Sequence, residues 1–147
     1  MTTDHLITKS PTIHAPAAKV WAALTDPQQM KIWMAQPEME IITDWKVGST
    51  ILMHGPWYKS RFENRGKILL FEPCFALQYT HLSSLSRLPD TDANHTLLDF
   101  RLAIEGEQTT LTLTMSNFPT ETIEKHLAYY WNVTLTILKK FVEEQQA

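Results

Sequence analysis

The sequence predicts an α+β domain: a curved antiparallel sheet of about seven strands wrapped around a long C-terminal helix, with two short helices after the first strand. Two observations carry that expectation. A 3.6-residue apolar period is sustained over residues 120–144, and between residues 39 and 115 the chain falls into short alternating runs separated by turn residues. Strands joined by short loops pair antiparallel, and a long apolar stripe needs a broad surface to lie on. The residues are expected to form one domain, 1–147.

Residues 5–13 read as the first strand, confined to an edge or bulged by Pro11. Pro16 opens a short helix, PAAKVWAAL, whose Val20, Trp21 and Leu24 share a face. Asp26-Pro27-Gln28-Gln29 restarts the chain, with Asp26 as N-cap, Pro27 at the first helical position and Gln29 in capping-box place. That second helix carries Met30, Trp33 and Met34 and stops before Pro37. Strands are expected at 39–42, 50–54, 58–71 (interrupted near Gly66), 74–82, 96–104 and 109–115. The four glycines, 48, 55, 66 and 106, are read as turns or breaks, and Glu105-Gly106-Glu107 as a tight hairpin. Cys74 is expected at a strand start as a small buried hydrophobe, and Arg61, Glu63 and Arg65 as a solvated strand face.

The final helix begins at Pro119-Thr120, with Thr120 as N-cap and Glu121 and Glu124 in the first turn. Roughly 25 residues make a rod about 37 Å long. Ile123, Leu127, Tyr130, Trp131, Thr134, Leu138, Phe141 and Val142 form its stripe; Lys125, Asn132, Thr136, Lys139 and Glu143 are assigned to water. Thr134 stands out as small and hydroxylated where Leu would pack. Either it bonds back to a helix carbonyl or it borders a gap.

Composition narrows the function classes. A net charge of −3, with Lys139-Lys140 the only basic pair, argues against nucleic-acid binding. One cysteine excludes an intrachain disulfide and fits a reducing compartment. Residues 1–10 lack a secretory pattern and no apolar run approaches the ~18 residues of a membrane span, so a cytoplasmic protein is expected. The sequons at Asn94 and Asn132 then carry no glycan. Trp21, Trp33, Trp45 and Trp57 recur every twelve residues, but their neighbours differ and no repeat is inferred. A homodimer is compatible with these bounds.

The segments APAAKVWAALTDPQQMKIW, VGSTILMHG, ENRGKILLFEP and TTLTLTMSNFP resemble the START/SRPBCC superfamily with its helix-grip fold. Within it they are most similar to the branch named after activators of the heat-shock-protein ATPase. The likeness covers roughly residues 6–142, and its motifs are structural rather than catalytic. It implies a cavity between helix and sheet, often taking a hydrophobic small molecule. His81 stands where the family tends to carry an aromatic such as Trp.

Strand parity turns Ile51 and Met53, Leu77, Tyr79 and His81, Leu98, Phe100 and Leu102, and Leu111, Leu113 and Met115 toward the helix. The expected ligand-contacting set is Trp33, Met53, Trp57, Tyr79, His81, Phe100, Met115, Leu127, Tyr130, Trp131 and Thr134. Those aromatics, with Phe75, equally suit an ordinary core. His81 is either a hydrogen-bonded core residue or the one inward group that titrates near neutrality. No nucleophile elbow, phosphate loop, dinucleotide fingerprint or paired-Cys motif is present, and the six histidines lack metal-ligand spacing. No catalytic residue, metal or cofactor is therefore assigned. Three functions remain in view: binding of an apolar or aromatic small molecule, an enzyme of the same fold (a cyclase, hydratase or hydrolase) acting on polyketide-like substrates, and a chaperone-associated interaction protein.

Overall fold

The computed structural model describes residues 5–145. The first strand is split into β1 (Ile7–Lys9) and β2 (Thr12–Ile13). Pro11 lies between them and has no N–H to donate, but its carbonyl accepts from Leu111 N at 3.0 Å, which keeps both pieces on the same neighbour.

Helices α1 (Ala17–Thr25) and α2 (Pro27–Trp33) meet at Asp26. The Asp26 N–H donates to Ala22 O at 2.8 Å, ending α1, while its carboxylate accepts from Gln28 N at 3.0 Å, starting α2. Because that N–H is already used, the capping box does not close. The Gln29 amide donates to the Asp26 carboxylate instead, at 3.2 Å.

Strands β3 (Glu40–Ile42), β4 (Thr50–Trp57), β5 (Ser60–Glu72), β6 (Ala76–Ser83), β7 (Thr96–Glu105) and β8 (Gln108–Ser116) follow, then helix α3 (Glu121–Glu144). The eight-stranded sheet runs β1-β8-β7-β6-β5-β4-β3, with β2 also on β8, and every pairing is antiparallel. This is the expected helix-grip architecture.

Several local expectations need correction. Strand β5 passes through Gly66 without a break, Gly66 pairing with Ile51; the irregularity falls between Ile68 and Leu70. A Cβ on Gly66 would lie 1.7 Å from the Thr80 carbonyl oxygen, so glycine is required there by the close approach of β6, not by a turn. Gly55 likewise lies inside β4. Cys74 is half-buried in the β5–β6 turn at φ +66° rather than buried at a strand start. Phe75, counted among aromatics suited to the core, is 62% exposed, because that turn is held by its backbone: Phe75 N donates to Glu72 O and its carbonyl accepts from Leu102 N, both at 2.9 Å.

Parity holds across the sheet. Of the residues expected to face the helix, all are buried except His81, which is intermediate. Helix α3 buries Leu127, Trp131, Thr134, Leu135, Leu138 and Val142, so Leu135 joins the stripe while Ile123, Tyr130 and Phe141 sit at its border. Lys139 is not on a free water face: its ammonium donates to Thr12 O and to Glu143, and Glu143 also accepts from His14 N at 2.8 Å. These bonds tie the C-terminal half of α3 to the β2 end of the sheet. On the outward side Tyr129, Val133 and Ile137 remain exposed. Among the described residues no helix is long and apolar enough to cross a membrane.

Candidate functional site

Between α3 and the sheet lies a cavity of about 460 Å³. From α3 only the N-terminal half reaches it, through residues between Thr122 and Trp131. Strand β4 supplies Met53 and Trp57, β5 supplies Phe62 and Asn64, β6 supplies Tyr79 and His81, and β7 supplies Thr96 and Leu98. Met34, Gln36 and Met39 close one side; Leu85, Ser86 and Asn94, from the β6–β7 connection, close another. Among the described residues the wall contains no Asp, Glu, Lys or Arg.

Of the expected contact residues, Met53, Trp57, Tyr79, His81, Leu127, Tyr130 and Trp131 stand on this wall. Trp33, Phe100, Met115 and Thr134 lie behind it, each for a physical reason. Trp33 donates its indole N–H to Ala23 O at 2.8 Å, which holds it against α1 with its ring 6.2 Å from Trp131. Phe100 stacks on Tyr79 at 5.9 Å and meets Trp131 edge-on at 5.7 Å, so those two rings separate it from the space. Met115 is fully buried on β8, paired with Leu98 on one side and Ile7 on the other. Thr134 is buried on α3 one turn beyond Tyr130, and the cavity lining ends at Trp131.

Phe62, Asn64 and His126 were not singled out from the sequence. Parity on β5 could have found the first two, since they alternate with the solvated Arg61, Glu63 and Arg65. His126 stands four residues before Tyr130, one turn up the same helix edge.

Burial governs the chemistry of the polar groups. Desolvation pushes the His81 imidazole down to about 4, with His95 and His126 adding to the effect, so it is neutral at pH 7. The Tyr79 hydroxyl is pushed up by burial and then by the nearby Tyr130 hydroxyl. Burial also raises Tyr130, against a smaller opposing effect of its bond with Thr134. Among the described residues neither the His81 imidazole nor the Tyr79 hydroxyl has a hydrogen-bond partner in the protein, and both residues line the cavity.

The rim is held in place from the other side of the sheet. His95 donates to Asp90 at 2.6 Å, and its second nitrogen meets the Thr80 hydroxyl at 3.1 Å. Asn117 donates to Ala93 O and His95 O, anchoring the same connection to the end of β8. Among the described residues no three His, Cys, Asp or Glu side chains converge as a metal site.

A curved antiparallel sheet gripping one long helix over an internal space defines the helix-grip domains of the START/SRPBCC superfamily. The chain belongs to the family described as Activator of Hsp90 ATPase homolog 1-like protein, whose model matches residues 14–143. It is similar in structure to the ChR145 protein of Cytophaga hutchinsonii, with a TM-score of 0.82 at 34% identity over 99% of this chain and 98% of that one. The Aha1 dimer of Colwellia psychrerythraea shares the fold at a TM-score of 0.73 and 24% identity, over 95% of this chain and 96% of that one. So does DynU16, from the dynemicin biosynthetic locus, at a TM-score of 0.73 and 18% identity over 96% of this chain and 48% of that one. Among curated proteins none matches the chain significantly.

Proposed function

We propose that this protein binds a hydrophobic or aromatic small molecule in the cavity between α3 and the sheet. The observation that carries it is the space itself: about 460 Å³, within the roughly 300–1,000 Å³ usual for small-molecule sites. Its walls are mostly apolar and aromatic, with a few polar tips that would orient a guest. Trp131 stands on the wall, so a guest would perturb its emission and raise the melting temperature by linkage. A panel of fatty acids, flavonoids and polyketide-like aromatics tests this directly. Unchanged fluorescence and unchanged melting across the panel would defeat the proposal.

A second reading, catalysis on a polyketide-like substrate, is supported by His81 and His126 facing the same space from β6 and α3. The place of the structural relative DynU16 in a biosynthetic locus is compatible with it. Turnover separates the two: an enzyme would consume a bound ligand, and His81→Phe would abolish the rate while leaving affinity. Self-association as a homodimer is supported by the exposed Tyr129, Val133 and Ile137 on α3, and sedimentation of the full chain over a concentration series tests it.

A further inference from the structure

His81 and Tyr79 occupy alternate positions on β6, so both side chains project from one face of the strand, roughly 7 Å apart along it. Each ends in a polar group that no described protein atom satisfies, on a wall without a charged residue. Unsatisfied polar groups in an apolar cavity are costly unless something completes them. Tyr130 acts on Tyr79 only through charge and forms no hydrogen bond with either group. The other titratable groups around His81 are His126 on α3 and His95 from the β6–β7 connection, and neither bonds to it.

We infer that the cavity selects an apolar molecule carrying one un-ionised hydroxyl of phenol or enol type, held between His81 and Tyr79. The inference rests on the small-molecule function proposed above and narrows it. A neutral imidazole presents one bare nitrogen and one N–H. A phenolic hydroxyl donates to that bare nitrogen, and its oxygen accepts from the Tyr79 O–H. One ligand group thereby meets both the bare His81 nitrogen and the Tyr79 O–H. A carboxylate, phosphate or ammonium would enter with no counter-charge on the wall, which is strongly disfavoured. An ether or hydrocarbon of the same shape would leave the His81 nitrogen unpaired, and sites built to bond a hydroxyl reject analogues lacking it.

The test is calorimetric titration of the full chain with 4-hydroxystilbene, 4-methoxystilbene and stilbene-4-carboxylate at neutral pH. The hydroxy compound should bind at least about tenfold more tightly than the methoxy compound, with the carboxylate weakest. In His81→Phe the hydroxy-to-methoxy affinity ratio should fall toward one. Tyr79→Phe removes the O–H from which either ligand oxygen accepts and should weaken the hydroxy and methoxy compounds alike by severalfold, which keeps the test alive should His81→Phe not fold; melting curves establish folding for each variant. Equal binding of hydroxy and methoxy compounds, a tighter carboxylate, a ratio unchanged in His81→Phe, or affinities unchanged in Tyr79→Phe would overturn the inference and leave small-molecule binding standing. Failure of all the stilbenes to bind would overturn the inference, while the small-molecule reading falls only if the fatty acids, flavonoids and polyketide-like aromatics fail as well.

Discussion

Gly66 lies so close to Thr80 that a Cβ placed on it would fall 1.7 Å from the Thr80 carbonyl oxygen. The obstacle is backbone, which cannot swing aside as a side-chain tip can. Gly66→Ala must therefore push β5 away from β6 in the centre of the sheet. We expect a loss of more than about 3 kcal/mol, at the upper end of overpacking costs, or failure to fold. Urea denaturation of the variant measures it, and a change below 1 kcal/mol, on the order of an exposed substitution, would contradict the strand spacing.

The helix starts give a smaller, additive effect. Asp26 accepts from Gln28 N at 3.0 Å and Thr120 from Ile123 N at 3.1 Å. Asp26→Ala and Thr120→Ala should each cost about 1 kcal/mol. The sites are far apart on the chain and share no hydrogen bond, so the double variant should lose about the sum, which chemical denaturation of the three proteins checks.

Thr134 is buried and lies outside the cavity wall. Thr134→Leu should therefore overpack the core at a cost of about 1–3 kcal/mol. A raised melting temperature in this variant would instead mean that unfilled space lies beneath the helix at that point.

His81 makes stability depend on pH in a definite direction. Its folded value of about 4 lies below the ordinary 6.5, so the unfolded chain takes up a proton first as pH falls. Across that window the unfolded state binds more protons, and stability is lost as pH drops from about 6.5 toward about 4. By about pH 5 the loss should be on the order of 2 kcal/mol relative to neutral pH. Comparing His81→Asn with the native chain at both pH values isolates this share; an identical pH response in the two proteins would show that His81 is solvated.

Part of the candidate site is legible in the sequence. The inward parity of β6 placed Tyr79 and His81, and the period of α3 placed Leu127, Tyr130 and Trp131. Phe100 and Met115 were assigned correctly to the same face, yet they lie in the layer beneath it. Parity tells which side of a sheet a residue occupies. It does not tell whether another ring, here Tyr79 or Trp131, stands in front.

By itself the sequence determined the elements, their faces and their caps: the stripe of α3, the alternation of β7 and β8, and the starts at Asp26 and Thr120. Those features depend on backbone periods and on neighbours within a turn, so local pattern suffices. Only the tertiary structure decided where space is left over. A cavity is the difference between the volume that α3 and the sheet enclose and the volume of side chains sent in from Met34, Met53, Asn64, His81 and His126, residues far apart along the chain. The same holds for Gly66, whose missing side chain is explained by the passage of Thr80 on another strand. Packing is a sum over distant contributors, and no window of sequence contains its terms.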